Sequence, residues 1–366
     1  MIKVCYVITT LGKGGAEKQL FELIYGIDKS IFSPSIISLS QGGYWKERIE
    51  GLDIPVFDLP RKKNKEISRL IKLTGLIRTI SPDIVHTYMW SANTYGRIAS
   101  IILNIPVIIA SERNISQVGK DKKKYEIFID QLLSFFTDKI ICNSLSASKS
   151  LTKIYSIKKD KVILVHNGID STKYRLNKSL LYNSSEITIG IVGRLEYQKN
   201  HKLFLEAAKI ILKNVKNIKL RFLIVGDGQL NTYLVKYSKT LGIYENIDFI
   251  GQTHNVNQFY KQMDIFVLTS HFEGLPNALM EAMASSIPVV AVDVGGIREL
   301  IHKNKTGFLC TPNSASDIAD KVIFLIKNQK KGLMIGNKGR TYIEKNFDIK
   351  KMVTLTEYTY LKSVRI

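Results

Sequence analysis

The sequence predicts an α/β protein built from two Rossmann-like domains, each a doubly wound parallel sheet, facing a central cleft. Three observations predict this. The chain has 366 residues, more than a single hydrophobic core of ordinary size organises. Short β-branched runs alternate with helical stretches, the rhythm of βαβ units and parallel sheets. That rhythm restarts after Tyr174–Glu186, a largely polar stretch without strong periodicity that reads as a linker.

The elements follow in order. Ile2–Thr9 is a buried-strand run with a glycine-rich turn after it, and Ala16–Ile27 is helical, with Leu20, Leu23 and Ile27 at helical spacing. Further strands are expected at Ser35–Leu39, Pro55–Asp58, Ile84–His86, Val107–Ser111, Lys139–Asn143 and Val162–Val165. Beyond the linker they are expected at Ile187–Val192, Leu220–Val225, Ile247–Ile250, Ile265–Leu268 and Pro288–Val292. The domains are accordingly set at 1–178 and 184–349, with a terminal helix over 350–366 packing back onto the first. In sheets of this kind, ligands bind at the carboxyl ends of the strands.

Composition narrows the class. Hydrophobic residues make up 45% and charged residues 23%, which excludes collagen-like, coiled-coil and disordered chains. The longest apolar stretch, Ile98–Ala110, is interrupted by Asn104 and Pro106, and a spanning helix needs about 20 apolar residues. The first residues lack a basic region followed by a small-residue cleavage site, so no secretory leader is expected. Cys5, Cys142 and Cys310 form no CxxC pair and no disulfide framework. A soluble, cytoplasmic, reduced protein is expected. Its net charge is +21, spread as +12 over residues 1–182 and +9 over 183–366. That field favours anionic partners, whether nucleic acid, phosphorylated ligands or an anionic membrane face. A codon-driven lysine bias explains it equally well.

Five segments carry chemistry. Leu11–Glu17 contains Gly14 and Gly15 between the first strand and a helix, where backbone N–H groups can approach an anion; the alternative is a plain tight turn. Gly193–Asn200 places Arg194 and Lys199 five residues apart after the first strand of the second half. A fork and a point charge suit a diphosphate, although a basic loop is common in so basic a chain. Glu273–Glu281 has Gly274 and Pro276 marking a helix start, with Glu273 in the loop and Glu281 inside the helix. Backbone N–H groups there face phosphate or sugar oxygens and each carboxylate accepts from hydroxyl pairs; the alternative is a helix with acids near its positive end. Asp293–Glu299 is another glycine turn at a strand's carboxyl edge, or a plain loop. His86 is read at a strand end, as a ligand or as a structural hydrogen-bonder. No HExxH, CxxC, DxD or GxSxG occurs, so metal and triad chemistry find no support.

Taken together, the chain resembles the glycosyltransferase family 4 group of retaining enzymes of the GT-B fold. The likeness runs through Gly14–Glu17, Asn167–Asp170, Gly193–Asn200, Val225–Gly228, Phe249–Gln252, Glu273–Glu281, Pro288–Ala291 and Gly295–Gly296. It implies that Arg194 and Lys199 neutralise the departing diphosphate of a nucleotide sugar. Glu281 would hold the ribose, Glu273 the transferred sugar, and His86 would contact that sugar at the reacting carbon. Backbone N–H groups at Gly15 and across Gly274, Leu275, Pro276, Asn277 and Ala278 would complete the cradle, with the base near Gln252–Val256. No metal and no cofactor is implied. The donor expected is a UDP-sugar, with GDP-mannose second, and the acceptor a glycan, typically lipid-linked, in cell-surface polysaccharide biosynthesis.

Ser286 stands where the family often has Gly, and Arg298 where many members are not basic. Three rival readings remain: a sugar-nucleotide epimerase on the same scaffold, a basic nucleic-acid-binding protein, for which no binding motif is present, and a catalytically dead scaffold, against which the intact residue set speaks. A further expectation is contact with an anionic membrane. Lys120, Lys122, Lys123 and Lys124 precede the apolar stretch Tyr125–Phe136, a pattern that fits an interfacial helix as well as a core helix with a solvated start.

Overall fold

The computed structural model describes residues 1–60, 66–113, 124–175, 186–253 and 255–364. Lys120, Lys122, Lys123 and most of the expected linker lie outside the described residues. The chain divides into two compact units, Met1–Gly168 together with Ile349–Ile366, and Ile169–Asp348. The first boundary therefore falls ten residues before the position read from the sequence.

In the first unit the order is β1 (Ile2–Ile8), α1 (Gly15–Gly26), β2 (Phe32–Ser38), α2 (Lys46–Glu50), β3 (Val56–Asp58), α3 (Glu66–Ile80), β4 (Ile84–Tyr88), α4 (Trp90–Ile102), β5 (Val107–Glu112), α5 (Lys124–Ser134), β6 (Lys139–Cys142), α6 (Leu145–Lys153) and β7 (Val162–Leu164). The strands form one parallel sheet ordered β3-β2-β1-β4-β5-β6-β7. Right-handed crossovers on such an order put α3 to α6 on one face and α1 and α2 on the other.

The second unit runs β8 (Glu186–Val192), α7 (His201–Asn214), β9 (Lys219–Val225), α8 (Asn231–Thr240), β10 (Ile247–Gly251), α9 (Asn257–Tyr260), β11 (Ile265–Leu268), α10 (Asn277–Ala284), β12 (Val289–Val292), α11 (Ile297–Leu300), β13 (Phe308–Cys310), α12 (Ala315–Lys327) and α13 (Gln329–Asn346). Its six parallel strands are ordered β10-β9-β8-β11-β12-β13. Along β9, Leu220, Phe222 and Ile224 enter one core cluster and Leu223 and Val225 the other. Both faces are covered, which is why these strands read as nearly continuous apolar runs. The last helix, α14 (Ile349–Ser363), belongs to the first unit. Its Met352, Val353 and Tyr360 share a core with Leu20, Leu23 and Ile24 of α1.

Three elements differ from the reading of the sequence. β2 begins at Phe32 and contains Pro34, which the expected strand excluded. β3 pairs only with Ile36–Ser38, so on that side Pro34 has no neighbour that would need its missing N–H. β4 continues to Tyr88, which makes His86 its middle residue. β13, three residues long, was not read at all.

Candidate active site

In each sheet the order of strand addition reverses between the first strand and the one beside it, β1 beside β4 and β8 beside β11, with all strands parallel. The carboxyl edge there is the preferred ligand position of the fold. In the second unit the loop after β8 is laid against the loop after β9. The Gly193 N–H donates to Val225 O at 3.0 Å and the Leu195 N–H to Asp227 O at 3.0 Å. Gly226 has φ +140°, and a Cβ on it would stand 2.0 Å from the Gly193 carbonyl oxygen, so only glycine allows this approach. With Leu195 buried as the anchor, Arg194 points to solvent, 58% exposed, within 3.1 Å of Glu196 Oε2.

Lys199 is held differently. Its Nζ lies 2.5 Å from Glu273 Oε1, and the two side chains are only 16% and 6% exposed. Ser270 Oγ donates to the same carboxylate oxygen at 2.6 Å. Thr269 Oγ1 bridges the carbonyls of Lys199 and Asn200 at 3.0 Å each, which fixes the turn in which Asn200 takes φ +48°. The Gly295–Gly296 turn reaches the same loop through a Gly296 N–H to Glu273 O bond of 3.4 Å. The structure thus brings together Lys199, Glu273 and the start of α10.

Glu281 is buried on α10, and Tyr260 Oη donates to its Oε2 at 2.8 Å and to Ala278 O at 3.2 Å. Burial first, and then the Glu281 charge, push the Tyr260 phenol well above its usual range, so it remains a donor. Pro276 is the residue capping α10 and lies just before its first turn. Gly274 and Leu275 are buried and Asn277 and Ala278 half-buried. Beyond β10, Gln252 is exposed, while Val256 is half-buried at the start of α9. Arg298 forks onto Asp293, with Nε–Oδ1 at 2.5 Å and Nη2–Oδ2 at 2.6 Å; an acid of its own loop meets its charge.

The predicted residues of the first unit are placed less favourably. Gly14 caps α1 and Gly15 is its first residue. A Cβ on Gly14 would fall 2.1 Å from Glu17 Oε2, so the chain's own carboxylate lies over the helix start where an incoming anion was expected. His86 requires a correction. It is wholly buried, with Nδ1 2.6 Å from Tyr360 Oη and Nε2 2.8 Å from Ser111 Oγ. Burial, reinforced by the Arg113 charge, holds it well below its usual value, so the ring is neutral. Both nitrogens are occupied, and His86 ties α14 to the sheet from the middle of β4, not from a strand end. Ser270 and Tyr260, which orient the two glutamates, were missed because no local motif marks either one.

Among the described residues no three His, Cys, Asp or Glu side chains converge as a metal site, and no helix is long and apolar enough to cross a membrane.

The two parallel-sheet units define a doubly wound α/β class of protein, whose ligand position is the carboxyl edge just described. Family profiles for Glycosyltransferase Family 4 and Glycosyl transferases group 1 match residues 13–173 and 173–342. The chain belongs to the glycosyltransferase family 4 and is a glycosyltransferase of the GT-B fold. It is 27% identical to the UDP-Gal:α-D-GlcNAc-diphosphoundecaprenol α-1,3-galactosyltransferase of Escherichia coli, over 99% of this chain and 97% of that one. It is 28% identical, over 95% of each chain, to the Campylobacter jejuni α-1,4-N-acetyl-D-galactosaminyltransferase whose acceptor is a GalNAc-containing glycan on undecaprenol diphosphate. Among solved structures, Anabaena HepE in complex with UDP-glucose superposes with a TM-score of 0.88 at 19% identity, over 99% of this chain and all of that one. Of the alternatives left open by the sequence, this membership selects glycosyl transfer.

Proposed function

We propose that the second unit binds a UDP-hexose or UDP-N-acetylhexosamine at the carboxyl edge of β8 and β11, and that the enzyme transfers the sugar with retention to a lipid-linked glycan in cell-surface polysaccharide biosynthesis. The observation that carries this is the Lys199–Glu273–Ser270 cluster at the switch point of the sheet. A cation and a carboxylate lie side by side where a diphosphate and a sugar must also lie side by side.

As the glycosidic bond breaks, negative charge grows on the diphosphate, and Arg194 and Lys199 meet it as preorganised cations. The leaving group is stabilised by these two side chains, so the reading requires no metal. Lys199 changes partner on donor binding, from Glu273 to phosphate, which frees Glu273 Oε1 to accept from sugar hydroxyls. Glu281, oriented by Tyr260, accepts from the ribose hydroxyls, and the N–H groups at the start of α10 face phosphate or sugar oxygens. Gln252 and Val256 border the base. Retention needs no enzyme nucleophile when acceptor attack and leaving-group departure occur on one face of the sugar. The two curated relatives support the acceptor class, since both act on undecaprenol diphosphate-linked sugars. The test is turnover against a panel of sugar nucleotides with an undecaprenol diphosphate-linked acceptor, with and without EDTA. Turnover with a UDP-sugar that EDTA leaves intact is expected; failure with every donor would overturn the reading.

A further inference from the structure

We infer that the outward face of α5 seats the first unit on an anionic lipid bilayer, an inference that rests on the lipid-linked acceptor reading for its purpose. α5 is apolar on two sides. Ile127 and Leu133 point into the unit. Tyr125, Phe128, Leu132, Phe135 and Phe136, in and just beyond the helix, are between 50 and 70% exposed. The steps of three and four residues from Tyr125 to Phe135 align them as one stripe. Large apolar groups scattered singly on a surface need no explanation, but five contiguous ones, four of them aromatic, mark an interaction surface.

The charges around the stripe identify its occupant. Lys161 Nζ donates to the carbonyls of Ser134, Phe135 and Thr137 at 2.9, 3.0 and 2.9 Å, which binds the segment carrying exposed Lys158 and Lys159 to the end of α5. Lys124 is exposed at the helix start. The acids nearby are largely occupied within the fold: Asp130 pairs with the buried Arg97, and Asp138 accepts from the Ile108 N–H. Glu126 and Asp160 complete the set, leaving seven lysines against four acids over residues 124–161. Aromatic side chains in a cationic surround match the interface of an anionic bilayer, where rings sit at headgroup level and lysines meet lipid phosphates. A second copy of the chain fits poorly, because two surfaces of a protein carrying +21 repel each other.

The experiment is flotation with vesicles of phosphatidylglycerol and phosphatidylcholine, and with phosphatidylcholine alone. It compares the wild type, a Phe128→Ser/Leu132→Ser/Phe135→Ser variant, and a Lys158→Gln/Lys159→Gln variant. All substitutions are at exposed positions, and unchanged circular dichroism and melting confirm the fold. The wild type is expected to float with anionic vesicles and poorly with neutral ones. The triple variant should bind at least about tenfold more weakly, since three apolar side chains no longer leave water, and the lysine variant should lose part of the anionic preference. A wild type that stays at the bottom of the gradient, or variants that float like it, would overturn the inference. So would a wild-type dimer in sedimentation that the triple variant abolishes. Thermal protection by UDP, measured on the same proteins, separates the two readings. A wild type that floats but gains no protection upholds the bilayer face and contradicts the donor site.

Discussion

Lys199 Nζ and Glu273 Oε1 stand 2.5 Å apart, joined across the sheet edge from the loop after β8 to the loop before α10. Two groups assigned to different parts of the donor thus hold each other before the donor arrives. The pair keeps both side chains in place and shielded from water, and on the proposed reading it opens when the donor binds.

Lys199→Ala is therefore expected to act twice. Turnover should fall by about 10²–10³ through loss of one preorganised cation. The fold should also lose about 1–3 kcal/mol, since Glu273 keeps its burial and loses its ion-pair partner. Arg194→Ala should match the kinetic loss and change stability by less than about 0.5 kcal/mol, because its ion pair with Glu196 is in solvent. Denaturant melts of both variants check this, and equal destabilisation would contradict the difference between the two sites.

Tyr260→Phe should raise the donor KM by about tenfold and leave kcat nearly unchanged. The lost bond is to a charged carboxylate, and ribose contacts change little between ground and transition states. A fall in kcat at constant KM would instead place Tyr260 or Glu281 in the chemical step.

Acid should unfold the protein through two histidines. Burial lowers His86 well below 6.5 and His201 to about 3, and neither ring nitrogen of His201 has a hydrogen-bond partner among the described residues. A histidine whose folded value is depressed binds its proton in the unfolded chain first. The stability it contributes is complete above about pH 6.5 and is lost as pH falls below that, by about 1.4 kcal/mol per pH unit for each ring. His201→Leu should leave the melting temperature at pH 7.5 unchanged or higher, since no bond is broken, and should flatten the decline between pH 6.5 and 4.5. Melting curves across that range decide it; an unaltered slope would contradict the assignment.

Ser286 has φ +57°, a conformation that costs a non-glycine residue roughly 1–2 kcal/mol. Ser286→Gly is expected to be neutral or to stabilise by up to about 1 kcal/mol, after the entropy glycine loses on folding. Gly336→Ala should be strongly destabilising, because the added Cβ would stand 2.1 Å from the Ser286 carbonyl oxygen. Melting temperatures of the two variants provide the check.

Both sheets and the second-unit edge were legible in the sequence for one physical reason. Strands covered on both faces are apolar runs, and glycine turns, Arg194, Lys199, Glu273 and Glu281 lie close to them along the chain. What was misread depended on distant neighbours. His86 was read at the end of a strand expected over Ile84–His86, yet the strand runs on to Tyr88 and Tyr360, 274 positions away, bonds its ring. Tyr260 and Ser270 orient Glu281 and Glu273 across turns that no motif records. The stripe on α5 could not be told from core, since apolar residues on two sides of a helix look alike until one side is packed. Over Gly14 lies the Glu17 carboxylate, which the glycines alone do not reveal.

The most direct test of glycosyl transfer at this edge is kcat of Arg194→Ala at saturating concentration of the best UDP-sugar, measured on protein whose melting temperature matches the wild type. Arg194 is exposed and its removal costs the fold little, so any loss reports on the chemical step. The account predicts a fall of about 10²–10³ in kcat. A kcat within about threefold of the wild type, less than 1 kcal/mol of transition-state stabilisation, would contradict it.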